Sequence, residues 1–396
     1  MTHNANDIPF ELIENRKILV VDDVKSLRDV MSLILHKAGF KNIEQAENGQ
    51  EAMAKITAAP PDLIILDLIM PIMGGMEVCY QVRETKKTES IPILVQTAMH
   101  DNEERLKAFA AGASDLVTKP VNALELVIRT TLHLESLVLT ENREKYRARV
   151  ADELAMAKDV QQNILPSAKH LHQIRDQTGI NISSMCQPSS ELGGDFWGVR
   201  TLSDESIGFF IADFSGHGVV SALNTIRLHT LLFNVGEAWQ EPDQLLSSIN
   251  QSLCDMLPTE QYATMILGLI SPKNNTLSYA GAASPPPIYG LWEEPDKLQY
   301  LDTTGLPLGI SRTAAYDLQT VPFTKNHFLF SFSDALIETK LNNDTYLEGE
   351  ELIRLVKYLT GGRPTPKLLD QLISTFFERG GNKLRDDLTA VCFDYL

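Results

Sequence analysis

Cysteine is scarce and scattered. The four present, Cys79, Cys186, Cys254 and Cys392, form no Cys-x-x-Cys pair, which argues against a disulfide framework or a thiolate zinc site. Positive charge is also in deficit: 35 Lys and Arg stand against 52 Asp and Glu, a formal charge of −17. Nonspecific nucleic-acid binding needs basic surface, and anionic membranes repel a chain of this sign. A protein partner with a basic face stays compatible. Long apolar runs are missing as well. None approaches the ~20 residues that span a bilayer, and the polar stretch 1–14 carries no apolar signal segment. The expectation is a cytoplasmic protein with no nucleic-acid or membrane partner. At 396 residues the chain exceeds what one hydrophobic core usually supports, so two or three domains are expected.

What is present falls into three stretches: 15–122, 123–165 and 166–396. In the first, apolar runs without alternation, Lys17–Val21, Leu63–Leu66 and Ile93–Val95, read as strands buried on both faces. Helical patterns lie between them. Leu27, Val30, Met31, Ile34 and Leu35 share one face of the first, and Leu106, Phe109 and Ala110 mark a later one. This alternation predicts an α/β, doubly wound parallel sheet, whose ligand sites lie at the carboxyl ends of the strands. Asp22, Asp23, Asp67, Thr97 and Lys119 all follow or end strand patterns and so converge on one edge. Three carboxylates there suit a divalent ion, and a phosphoryl group on Asp67 would meet Thr97 and Lys119.

The pieces Val-Val-Asp-Asp (20–23), Leu-Asp-Leu-Ile-Met-Pro-Ile-Met-Gly-Gly (66–75), Gln-Thr-Ala (96–98) and Thr-Lys-Pro (118–120) together resemble a response-regulator receiver domain. The resemblance implies that Asp67 accepts phosphate from a histidine kinase or other phosphotransfer donor, with Mg²⁺ at Asp22, Asp23 and Asp67. One departure is visible. The strand position where this family often carries a switching aromatic is Leu116.

Glycine and proline are both absent from 121–165. Leu134, Val138, Val150, Leu154, Ala157, Val160 and Ile164 recur at spacings of three and four around a charged break at 140–149. The pattern predicts a long connecting helix that ends near Pro166. Its charged middle suits a helix bridging solvent, either as a spacer in a monomer or as half of a coiled coil in a homodimer. The stretch Glu153-Leu-Ala-Met-Ala-Lys-Asp-Val-Gln-Gln-Asn-Ile-Leu-Pro166 resembles the helix that opens bacterial PPM-type phosphatase domains of the sporulation and general-stress classes, where it takes part in regulation.

In 166–396, strand-like runs at Ile180–Met185, Ile207–Asp213, Met265–Ile270, Leu277–Tyr279, His327–Phe332 and Leu388–Phe393 alternate with helical patterns at Ser221–Asn234 and Pro242–Leu257, an α+β plan. Four aspartates, Asp195, Asp213, Asp334 and Asp386, sit at or beside the ends of such runs. Acids gathered by a fold repel one another unless a cation compensates, and carboxylates are hard ligands suited to Mg²⁺ or Mn²⁺.

The ordered set Glu191-Leu-Gly-Gly-Asp-Phe-Trp, Ile211-Ala-Asp-Phe-Ser-Gly-His-Gly, Tyr262-Ala-Thr-Met, Gly305-Leu-Pro-Leu-Gly, Phe332-Ser-Asp and Arg385-Asp-Asp-Leu-Thr-Ala-Val resembles the PPM (type 2C) phosphatase family. That implies a β-sandwich flanked by helices and two Mn²⁺ or Mg²⁺ ions. By the same resemblance Asp213 bridges the ions, the Phe214 carbonyl supports one, Asp334 and Asp386 serve the second, and Asp195 sits beside the pair. A metal-bound hydroxide then attacks phosphoserine or phosphothreonine directly. His217 is a candidate general acid or a turn histidine. Asp302 and Asp387 read as water-facing or supporting acids. Three positions depart from the family: Gly198 where an acid is common, Ala335 where a glycine is common, and Gly281-Ala-Ala-Ser284-Pro in place of an Asn-Ala-Gly-His-Pro-like turn. The expectation is a response regulator whose phosphorylation controls a serine/threonine phosphatase. Its implied substrate is a phosphorylated anti-sigma-factor antagonist in partner switching. The rival is a phosphatase-fold adaptor that binds a sigma factor or other regulatory protein without turning over.

Overall fold

The computed structural model describes residues 8–97, 102–202, 205–216, 218–342, 346–347, 349–360, 367–381 and 384–395. The chain divides into two compact units, Met1–Val150 and Ala151–Leu396.

The first unit is built on a five-stranded sheet of β1 (Lys17–Val21), β2 (Asn42–Ala46), β3 (Leu63–Asp67), β4 (Ile93–Thr97) and β5 (Asp115–Thr118). The order is β2-β1-β3-β4-β5 and every pairing is parallel. The helices are α1 (Lys25–Lys37), α2 (Gly49–Ala58), α3 (Gly75–Glu84) and α4 (Asn102–Ala110). Successive strand residues feed opposite faces. In β1, Leu19 and Val21 join one core with Ile64, Leu66 and Val78, while Ile18 and Val20 join another with Met31, Leu35 and Leu126. Two apolar faces explain why these strands lack alternation in sequence. The α1 face differs from expectation. Met31 and Leu35 are buried together with Arg28 and Ser32, but Leu27 and Val30 are exposed, as are Leu106 and Phe109 of α4. Arg28 takes the inward place because its guanidinium donates to the Asp22 carbonyl oxygen at 2.5 Å.

Helix α5 runs for 41 residues, Ala123–Asn163. Its buried residues, Leu126, Thr130, Leu134 and Val138, recur every fourth position and stop there. Arg16 forms an ion pair with Glu141 at 2.6 Å in the next turn.

The second unit begins its own folding pattern with α6 (Ala168–Thr178), capped by Ser167 and closed by Gly179 in a left-handed conformation. Two antiparallel five-stranded sheets follow. One has the order β13-β10-β9-β8-β7 and the other β12-β11-β14-β15-β6. The strands are β6 (Ile180–Gln187), β7 (Asp195–Thr201), β8 (Ile207–Phe214), β9 (Ala263–Ser271), β10 (Thr276–Ala282), β11 (Ile288–Leu291), β12 (Gln299–Tyr300), β13 (Gln319–Pro322), β14 (His327–Phe332) and β15 (Leu388–Tyr395). Helices α7 (Val219–Phe233) and α8 (Pro242–Met256) precede β9. Helices α9 (Ala335–Glu338), α10 (Glu350–Thr360) and α11 (Leu368–Phe376) lie between β14 and β15. Strand β8 shows how the layers form. Ile207, Phe209 and Ile211 enter the core between the sheets with Val391 and Phe393. Phe210, Ala212 and Phe214 enter the core under α7 and α8 with Leu228 and Leu246. A third core packs α10 and α11 against Phe328, Phe330 and Phe332 of β14. The result is a β-sandwich with helices on both outer faces.

Candidate functional site

In the first unit, parallel register places the carboxyl ends of β1, β3, β4 and β5 side by side. Asp22 follows β1, Asp67 ends β3, Thr97 ends β4 and Lys119 follows β5. Asp22 and Asp67 are buried while Asp23 is exposed. Ligand atoms of Asp22, Asp23 and Asp67 all lie within 4.8 Å of one another. Lys119 Nζ stands 2.7 Å from Asp67 Oδ2 and 3.2 Å from Asp22 Oδ2. Burial pulls the Lys119 pKa down, but Asp67 and Asp22 more than offset this, so it lies above its usual value. Lys119 N donates to the Thr97 carbonyl oxygen at 2.8 Å, which fixes the lysine beside β4. Gly75, the second of the two glycines after Leu68, has a steric cause. A Cβ on Gly75 would lie 2.1 Å from the Asp67 carbonyl oxygen, so only glycine fits. Leu116 is buried in the sheet core.

In the second unit, Asp195 and Asp213 are direct cross-strand partners in β7 and β8. Asp334 follows β14 and Asp386 precedes β15. Backbone ties bring these ends together. Ser333 N donates to the Thr389 carbonyl oxygen at 2.8 Å, and Ser333 Oγ donates to the Asp387 carbonyl oxygen at 2.9 Å. Asp387 is buried rather than water-facing. Its carboxylate accepts from Ser189 N, Ser189 Oγ and Gly194 N, so it clasps the loop that leads to Asp195. Asp302 is exposed and caps its own turn at Thr304 N, 3.0 Å away. A Cβ on Gly194 would lie 2.8 Å from the Phe214 carbonyl oxygen, the backbone atom flanking Asp213.

Gathering acids in a buried place raises their pKa values. Asp213 is pushed up to about 7 by burial, then by Asp334, Asp386 and Asp387. Asp334 is pushed up to about 6 by burial and then Asp386. Asp195 lies well above the usual carboxylate range through burial and Asp213. Thr389 and Ser333 favour its charged form, yet neither Asp195 oxygen has a hydrogen-bond partner of good geometry, nor does Asp334 Oδ1. Buried carboxylate oxygens without donors are what a hard cation satisfies, so these residues fit a divalent ion. Among the described residues, the Asp22, Asp23 and Asp67 trio is the group that meets within 4.8 Å. Among the described residues, no three of the second-unit acids lie that close together. His217 lies outside the described residues.

Sequence reasoning assigned no individual role to Gln161, in the last turn of α5. Its Nε2 donates to the Gly193 carbonyl oxygen at 2.7 Å, and its Oε1 accepts from Gly193 N at 3.3 Å. The helix end is thereby bonded to the loop before Asp195. The Gln-Gln-Asn-Ile-Leu-Pro stretch was the available signal.

Residues 18–131 match the response regulator receiver domain family, and residues 203–396 match the family described as Stage II sporulation protein E (SpoIIE). The chain joins a receiver domain to a SpoIIE-family PPM phosphatase domain. Both families generally use divalent metals. The SpoIIE-family match begins after Asp195. Transcriptional regulatory protein YvrH of Bacillus subtilis is 41% identical over 123 residues, 31% of this chain and 51% of that protein. Transcriptional regulatory protein ResD of the same organism is 44% identical over 113 residues, 28% of this chain and 45% of that protein. The chain thus spans about half the length of these curated relatives. The SiaA-PP2C domain of Pseudomonas aeruginosa is 21% identical with a TM-score of 0.54, covering 63% of this chain and 99% of that one. At that identity it shows the fold alone. No helix among the described residues is long and apolar enough to cross a membrane.

Proposed function

We propose that the chain is a phosphorylation-controlled serine/threonine phosphoprotein phosphatase. The carrying observation is that Asp195 is buried with no hydrogen-bond partner of good geometry for either oxygen, beside a second raised carboxylate, Asp213. Asp195, Asp213, Asp334, Asp386 and the Phe214 carbonyl would hold two Mn²⁺ or Mg²⁺ ions, which supply an activated water when bound. The chain's own part is to fix these ligands. Asp387 and Ser333 tie their backbone together, and Gly194 leaves room beside Phe214. In the receiver, Asp22 and Asp23 would hold Mg²⁺, Asp67 would accept the phosphoryl group, and Thr97 and Lys119 would bind its oxygens. The donor is a histidine kinase or other phosphotransfer partner. The substrate class proposed is a phosphorylated anti-sigma-factor antagonist in partner switching, acted on in the cytoplasm by a homodimer.

The test is hydrolysis of a phosphoester with Mn²⁺ or Mg²⁺ and with EDTA. Asp213→Asn is expected to lower the rate by at least about 10²-fold with the fold retained, since it removes a shared ligand. Equal rates in both proteins, or no hydrolysis by wild type, favour an adaptor that only binds. Acetyl phosphate is expected to label Asp67, and Asp67→Asn to lose the label by intact mass. A labelled variant places the acceptor elsewhere.

A further inference from the structure

Three segments of the second unit meet beside Asp213. Two residues past it, Ser215 N donates to the Tyr262 carbonyl oxygen at 2.9 Å, and Ser215 Oγ accepts from Tyr262 N at 3.0 Å. Ala263 and Leu308 exchange backbone hydrogen bonds at 3.0 and 2.8 Å. Asn224 Nδ2 donates to Gln261 Oε1 at 3.0 Å. These bonds set the start of α7, residues 261–263 and the stretch around Leu308 side by side. The first turn of α7 also borders Asp195 from the other side. A Cβ on Gly194, the residue before it, would lie 3.2 Å from Ser221 Cβ.

Among the described residues of 166–396, eleven large apolar side chains are exposed. Six of them stand on these three segments: Val219, Val220, Leu223, Tyr262, Leu306 and Ile310. Scattered exposed apolar residues are ordinary, whereas a patch of them marks an interaction surface. The start of α7 even inverts the usual amphipathic rule. It buries Ser221, Asn224 and Thr225 and leaves Val220 and Leu223 55% and 52% exposed. The end of α5 does not cover them. Gln161 Nε2 reaches Thr225 Oγ1 at 3.2 Å, and Thr225, two residues after Leu223, lies on the opposite side of the helix.

The place of the patch decides its occupant. A phosphoryl group held at Asp213 brings the chain that bears it against the surface around that aspartate, because an extended chain advances only about 3.3 Å per residue. The patch therefore lies under the residues that border the phosphorylated one. We propose that Val220 and Leu223, with the exposed side chains beside them, dock the substrate and set its specificity, so that the phosphoprotein taken is one with apolar side chains bordering its phosphorylated serine or threonine. This rests on the phosphatase reading above and adds to it what the enzyme recognises. Contacts made away from the reacting phosphoryl group act through binding, so the preference belongs mainly in KM.

The test measures initial rates of the full chain with Mn²⁺ on p-nitrophenyl phosphate, on a phosphoserine peptide flanked by Leu and Val, and on the same peptide with Gln and Ser in their place. The apolar peptide is expected to exceed the polar one by at least about tenfold in kcat/KM, mostly through a lower KM. The double variant Val220→Gln with Leu223→Gln should bring the two peptides within about twofold of each other, and keep p-nitrophenyl phosphate hydrolysis within about twofold of wild type. Phe233→Gln, an exposed site at the far end of α7, should keep the preference. Wild type that hydrolyses p-nitrophenyl phosphate but treats the peptides alike overturns the docking surface alone. So does a preference that survives the double variant or is lost in Phe233→Gln. A double variant that also loses p-nitrophenyl phosphate hydrolysis would assign these side chains to the aspartate site and overturn it too. Wild type that hydrolyses none of the three overturns the phosphatase reading and this proposal with it.

Discussion

Single carboxylates in the second unit divide by what surrounds them. Asp387 is buried but receives three hydrogen bonds. Asp195 is buried and receives none of good geometry. The first organises a loop; the second has the unsatisfied oxygens that a bound cation would satisfy. Asp394 in β15 is a third kind. It is buried, its pKa is pushed up to about 6 by that burial, and the Cys392 thiol and Asn181 only partly favour its charge. Its folded pKa lies above the unfolded value, so its contribution to stability is complete below about pH 4 and is lost as pH rises through about 6. Asp394→Asn removes this loss. Relative to wild type, the variant is expected to gain about 2 kcal/mol between about pH 4.5 and 7.5, read from denaturant unfolding of metal-free protein. A constant difference across that range would show that Asp394 does not titrate in this way.

Helix α5 is buried along its first turns and tethered by a side chain at its last. Its buried residues end at Val138, whereas Gln161, more than five turns later in the same helix, is bonded to Gly193. A continuous helix transmits a small rotation or shift where a Gly-Ser linker does not. Val160 and Met156, on the stretch between, are exposed in the single chain. Helix pairing in a dimer would cover such positions, and phosphorylation at Asp67 would act by favouring one pairing. The expected result is that acyl phosphate changes the phosphatase rate of wild type, and that four Gly and Ser residues inserted near Arg143 bring this change close to unity. An unchanged response in the insert would rule out the helix as the route. A wild type monomeric by light scattering in both states would rule out the pairing.

Over the whole molecule, a formal charge of −17 combines with acids buried at one place. Asp213 at about 7 and Asp334 at about 6 both lie above their unfolded values. Metal-free protein should therefore lose stability as pH rises through 6 and 7. A divalent cation binds the deprotonated ligands, so its stabilising effect grows with pH. Excess Mn²⁺ is expected to raise the melting temperature of the SpoIIE-family domain by several degrees more at about pH 8 than at about pH 5.5, with EDTA removing the difference. A shift equal at both pH values would mean that these aspartates are not the ligands.

Local pattern alone determined several of the elements whose burial is uniform or periodic, though not α10 or α11, whose buried faces are as periodic. Lys17–Val21 and His327–Phe332 are strands with the bounds read from the sequence, and the uninterrupted helix formers after Val121 do form one helix. Strand β7 was not separable, because Asp-Phe-Trp-Gly-Val-Arg-Thr is buried on both faces at one end and contains a glycine. Helix α6 has only Leu171 and Ile174 as large apolar residues, too few for a clear period. The receiver edge was legible because a parallel sheet sends every strand end to one side. The clasp of Asp387 on Ser189 and Gly194 was not, because it joins positions nearly two hundred residues apart along the chain, 198 and 193. Neither was the inward turn of Arg28, nor the partnerless indole N–H of Trp239. Sequence fixes which groups can donate, accept or carry charge. Whether each finds water or a partner depends on which strands and helices the tertiary fold sets against it, and that is what decides burial and pKa.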